Sequence, residues 1–146
     1  MRIKNITAHR FFLMALIVIL FYFTGSSFVM AEDKAKELYS KGLSFVQVED
    51  YEKALPCFEK AAKENPNYAD AYRQIGDCNG ELGRWNEAIK AYKQAIRIVP
   101  DYALAHFSLG VVYVAVGDKN AAFDEYKILK DLNQDMAKKL FALIYE

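Results

Sequence analysis

Residues 69–102 read ADAYRQIGDCNGELGRWNEAIKAYKQAIRIVPDY, and the chain repeats this pattern on either side. Gly76 has counterparts at Gly42 and Gly110, Ala88 at Ala54 and Ala122, and Tyr92 at Phe58 and Tyr126, always 34 residues away. Ala95 is matched by Ala61 and replaced by Leu129, and Pro100 is matched by Pro66. Columns sharing one period define an array of three units, 35–68, 69–102 and 103–136.

Within the middle unit, Ala71, Tyr72, Ile75, Cys78 and Leu82 recur at three- and four-residue steps, the stripe of an amphipathic helix. Gly83 ends that helix by allowing a left-handed cap. A second stripe runs through Trp85, Ala88, Ile89, Tyr92, Ala95 and Ile96 and stops at Val99-Pro100, because the residue before proline avoids the helical region. Asp101 is expected to cap the next helix. Small Gly76 and Ala88 let the two helices approach, with Tyr72, Trp85 and Tyr92 expected to fill the remaining volume. Pro56 falls inside the second helix of the first unit and removes a hydrogen bond to the Glu52 carbonyl, at about 3 kcal/mol, so it is expected to face outward. A seventh helix is expected over 135–145, with Met136, Leu140, Leu143 and Ile144 apolar, as a cap on the stacking face of the last unit.

At these residues the chain resembles the tetratricopeptide repeat (TPR) family. The middle unit carries Tyr72, Ile75-Gly76, Ala88, Tyr92 and Pro100, with Asn79 where the family prefers Tyr. The first carries Leu38, Lys41-Gly42, Phe45, Ala54, Phe58 and Pro66; the third His106, Leu109-Gly110, Tyr113, Ala122 and Tyr126, with Gln134 in place of the proline. The resemblance implies an all-α, right-handed α-solenoid of three helix-turn-helix units plus the C-terminal capping helix.

The first 31 residues differ from the rest. Arg2, Lys4 and Arg10 precede an unbroken apolar run, Phe11–Phe23, followed by Thr24, Gly25, Ser26 and Ser27 and the small pair Val29 and Ala31. A basic head, a short apolar run and small residues at the exit describe a signal peptide cleaved after Ala31. The alternative is an uncleaved membrane anchor, although 13 helical residues span about 20 Å against roughly 30 Å of hydrocarbon. Either reading exports residues 32–146, to the periplasm or beyond, or leaves them tethered to the inner membrane.

Three of the 19 basic residues and none of the 19 acids lie in that leader, so 32–146 carries a net charge of −3. Such a balance argues against a sequence-independent nucleic-acid binder. No Gly-rich phosphate loop, nucleophile elbow or closely spaced His/Cys ligand set is present in the sequence, which points away from an enzyme, a cofactor or a metal site. His106 takes a large core position of the repeat and reads as structural. Cys57 and Cys78 each share an apolar stripe, either as buried free thiols or, in an oxidising compartment, as a disulfide.

The TPR resemblance implies a concave groove lined by the first helix of each unit, holding a peptide or helix of a partner protein. Carried over by alignment, the groove residues are Lys36, Tyr39, Leu43, Val46 and Gln47; then Asp70, Arg73, Asp77 and Glu81, with Gly80 opening space; then Leu104, Phe107, Val111, Val114 and Ala115. The family's peptide clamp for chaperone C-termini uses Lys, Asn and Arg at positions held here by Tyr39, Leu43, Asp77, Leu104 and Ser108, so that specificity is not implied. Residues 103–116, ALAHFSLGVVYVAV, are apolar almost all round, and a helix apolar on every face expects cover on every face. Leu104, Phe107, Val111 and Val114 therefore call for a partner with an apolar anchor and a cation near Asp77 and Glu81. The competing expectation is that curvature, the cap helix or a second copy covers them. The resulting reading is a non-catalytic adaptor; a membrane-anchored envelope subunit or a self-associating oligomer is the alternative.

Overall fold

The structure, a computed structural model, describes residues 30 and 32–146. The leader and its cleavage point lie outside the described residues. Among the described residues seven helices follow one another: α1 (32–46), α2 (Tyr51–Glu64), α3 (Ala69–Glu81), α4 (Trp85–Ile98), α5 (Ala103–Ala115), α6 (Lys119–Leu132) and α7 (Gln134–Tyr145). They form an all-α solenoid. From α2 onward each helix packs on its chain neighbours, α5 meets α7 as well, and α3 touches α5. A stack held by near neighbours is what repeating units produce when none can bury its apolar face alone.

The glycine columns set the helix spacing. A Cβ on Gly42 would stand 2.6 Å from the Phe58 ring, and one on Gly76 would stand 2.4 Å from that of Tyr92. Phe58 and Tyr92 thus lie directly on backbone, fully buried or nearly so. The third unit departs from this column. At Gly110 the nearest atoms all belong to Leu140 of α7, at 2.4–3.3 Å from the added Cβ. Tyr126 instead makes tilted ring contacts with Phe123 and Phe141, both at 5.2 Å between centroids.

Small apolar clusters run in series along the stack: Ala54, Leu55, Phe58 and Cys78; then Ala88, Tyr92, Leu109 and Val112; then Ala122, Leu129, Ala137, Leu140 and Ile144. Asp50, Asp118 and Asn133 cap α2, α6 and α7 by accepting from the backbone N–H three residues on. Asp101 does not cap α5, contrary to expectation. Tyr102 holds the N-cap position, with no side-chain bond, because Asp101 lies one residue too early. Pro56 is exposed on α2. The turns after α3 and α5 use Gly83 and Gly117 at φ 70° and 81°, and the equivalent turn after α1 places Glu49 at φ 58°.

Two sequence expectations about packing need correction. Trp85 is not core: it is 40% exposed, because the first residue of α4 sits at the rim where the neighbouring helix has already ended. Nor is α7 a purely solvating cap. Its Ala137, Leu140 and Ile144 are buried, but Phe141, Leu143 and Tyr145 remain exposed.

Candidate binding groove

Between α3 and α5, closed at one end by the start of α4, lies a cleft of about 480 Å³. Asp77, Gly80 and Glu81 come from α3, Trp85 and Tyr92 from α4, and Phe107, Ser108, Val111, Val112 and Ala115 from α5. Gly80 makes the opening: a Cβ there would meet nothing nearer than the Tyr92 hydroxyl, at 4.0 Å. Apolar walls with a few polar groups suit a small apolar anchor, and the volume lies within the usual range of ligand sites.

Of the groove residues expected from the sequence, Asp77, Gly80, Glu81, Phe107, Val111 and Ala115 converge on this cleft. The first unit's five do not. Tyr39 stacks on Phe58 and Tyr68 at 5.4 and 5.0 Å, and Leu43 and Val46 pack against the Ala54–Phe58 cluster. These side chains belong to internal packing, because among the described residues the apolar cover of α1 comes from α2 and α3. Val114 packs toward α7 and away from the cleft, while Phe107 and Val111 touch both. The cap helix therefore supplies part of the cover that the sequence assigned to a partner. Leu104 stays 45% exposed and stands outside the cleft.

Asp70 and Arg73 are drawn into a polar network of the protein's own. Arg73 Nε donates to the Tyr102 hydroxyl at 3.0 Å, its guanidinium pairs with Asp77, and the Tyr102 hydroxyl donates to Asp70. The Tyr92 hydroxyl donates to the other Asp77 oxygen at 2.8 Å. Burial pushes the Asp77 carboxyl above the ordinary carboxylate range, against the opposing pull of Arg73 and Tyr92. Burial and then the Asp77 charge push the Tyr92 phenol up in turn, so it remains a donor. The expectation that a partner's cation pairs with Asp77 is accordingly corrected: Arg73 already does so. Glu81, exposed on the lip, is the carboxylate left for a partner.

Sequence reasoning missed Trp85, Tyr92 and Val112. Trp85 and Tyr92 carry the core-stripe signature, and their second role depends on how far α4 projects past α3. Ser108 was visible as a position of the family's peptide clamp and, with His106, as one of two polar residues in an otherwise apolar helix.

Away from the cleft, both cysteines are free thiols. Cys78 is buried and its thiol is pushed up to about 12 by burial, which keeps it protonated and unreactive. Cys57 is only half-buried, and its thiol donates to the Lys53 carbonyl. His106 is buried, with Nδ1 2.6 Å from Glu125 and Nε2 2.9 Å from the Pro100 carbonyl. Both partners are acceptors, so this geometry favours the imidazolium, the form that donates from both nitrogens.

Comparison with known proteins agrees with this architecture. Tetratricopeptide repeat models match residues 35–68 and 57–90, and a TPR repeat model matches 80–117. Among solved structures, the first TPR of Spaghetti (RPAP3) bound to the HSP90 peptide SRMEEVD is 19% identical, with 78% of this chain and 92% of that one covered and a TM-score of 0.75. The TPR2B domain of yeast Sti1 in complex with an Hsp70 peptide is 21% identical, covering 77% and 94%, with a TM-score of 0.71. A mutant of MamA is 30% identical, covering 69% and 74%, with a TM-score of 0.64. A search of curated proteins finds no match. With family models spanning 35–117, more than half of its 146 residues, and a solenoid of paired helices, the chain belongs to the tetratricopeptide repeat family.

Proposed function

We propose that this protein is a non-catalytic interaction module that holds a segment of a partner protein in the α3–α5 cleft. The observation that carries the reading is the Gly80 opening: a cleft walled by Phe107, Val111 and Trp85, kept clear by the absence of a side chain at one helical position. An anchor side chain seated there is removed from water, worth about 1.5–3 kcal/mol for a Leu or Phe before binding costs. The neighbouring structures with bound HSP90 and Hsp70 peptides support a peptide as the ligand class. The charge differs here. With Asp77 held by Arg73, Glu81 is the charge of the lining left for a ligand, so a segment with an apolar anchor flanked by Lys or Arg fits, and one ending in clustered carboxylates does not. The basic, apolar leader of the sequence favours export, which places the partner in the periplasm or at the outer face of the inner membrane.

The sole tryptophan, Trp85, lines the site and reports on it. Titrating the protein with an amphipathic helical peptide of Leu and Lys should shift Trp85 emission to the blue saturably. The matching peptide of Leu and Glu should do so at least about tenfold more weakly. Equal response to both peptides, or a response unchanged in Gly80→Leu, sinks the reading.

A further inference from the structure

We infer that the cleft between α6 and α7 is a second docking site, built for an acidic segment carrying an apolar anchor. It goes beyond the groove reading and does not rest on it, since the two clefts share no residue. Its volume is about 450 Å³, and it is lined by Tyr126, Lys130, Gln134, Ala137, Lys138 and Phe141.

The cleft follows from the departure in the third unit. With Leu140 seated on Gly110, the Tyr126 ring is turned onto Phe123 and Phe141, and Phe141 in turn stacks on Tyr145 at 4.6 Å. Phe141 is 43% exposed and Tyr145 63%. Rings stacked on one another lose little freedom when a ligand covers them, which favours their use as a contact surface.

Charge selects the occupant. Lys130 and Lys138, one from each helix, are the only charged residues of the lining, both exposed, and neither belongs to an ion pair among the described residues. An apolar side chain between Tyr126 and Phe141 brings flanking carboxylates within reach of both ammonium groups. A concave cleft suits a peptide better than a bilayer, which takes protruding apolar side chains.

The test is fluorescence anisotropy of labelled pentapeptides with the whole protein. Acetyl-Asp-Glu-Phe-Asp-Glu should bind, and its uncharged counterpart acetyl-Asn-Gln-Phe-Asn-Gln should bind more weakly. In the double variant Lys130→Glu/Lys138→Glu the acidic peptide should lose about tenfold in affinity and the uncharged one should change little. Phe141→Ala should weaken both, and Trp85 emission should stay unchanged as the acidic peptide binds, separating this site from the groove. Indifference of the acidic peptide to charge reversal overturns the proposal. Tighter binding to phosphatidylserine vesicles than to the peptide overturns it in favour of a membrane. Concentration-dependent self-association abolished by Phe141→Ala overturns it in favour of a second copy.

Discussion

Two glycines four residues apart on α3 should respond to the same substitution in opposite directions. Gly80→Ala adds a methyl group with 4.0 Å of clearance and removes a flexible residue from the last turn of α3. The gain is about 0.5 kcal/mol, smaller than in a helix interior, or about 2–3 °C in Tm for a domain of this size. Gly76→Ala, in the helix interior, brings a gain of about 0.5–1 kcal/mol but sets the methyl 2.4, 2.6 and 2.7 Å from three atoms of the Tyr92 ring. That ring cannot swing aside, because it is 3% exposed and its hydroxyl is held by Asp77 at 2.8 Å. Overpacking costs about 1–3 kcal/mol, so the net effect is a loss of up to about 2.5 kcal/mol. Thermal denaturation of both variants, followed by far-ultraviolet circular dichroism, measures the difference. A Gly76→Ala protein at least as stable as the parent refutes the close-approach account of the repeat, and a destabilised Gly80→Ala protein refutes the open cleft.

Other outcomes follow from single residues. Glu49 holds the left-handed conformation that glycine holds in the two later turns, so Glu49→Gly should raise stability by about 0.5–1 kcal/mol, measured by urea denaturation. The Glu125 hydrogen bond raises the His106 imidazole above its ordinary value of 6.5, with the Pro100 carbonyl adding to the shift and burial opposing it. A raised folded-state value means that this contribution is fully present below about pH 6.5 and lost as pH climbs through the folded pKa; denaturation midpoints should fall over that window. His106→Gln should flatten the profile and cost about 3 kcal/mol at low pH, by leaving Glu125 without its cation.

The architecture was legible because it is written in columns. A period of 34 residues fixes which side chains face which, and the structure keeps that order through Gly42–Phe58 and Gly76–Tyr92. It fails at Gly110, where a residue from beyond the array, Leu140, outcompetes Tyr126 for the same place. The binding site was half legible. Asp77, Glu81, Phe107 and Val111 converge as alignment to the family implied, whereas the Tyr92–Asp77 and Tyr102–Asp70 bonds join residues of different helices whose proximity no single stripe reveals. Pattern says which face a side chain occupies, not whether a neighbour has already claimed it. For the same reason the sequence overstated the exposed apolar wall of α5, part of which α7 covers.

The central claim is that the α3–α5 cleft holds a partner's side chain, and photocrosslinking in the native cell tests it most directly. With p-benzoylphenylalanine in place of Ala115, on the cleft wall, the account predicts one discrete adduct with another protein. Gly80→Leu in the same chain, which fills the cleft without unfolding the helix, should abolish it. An adduct that persists undiminished in Gly80→Leu, or that forms equally from exposed Lys60 on α2, would contradict the account.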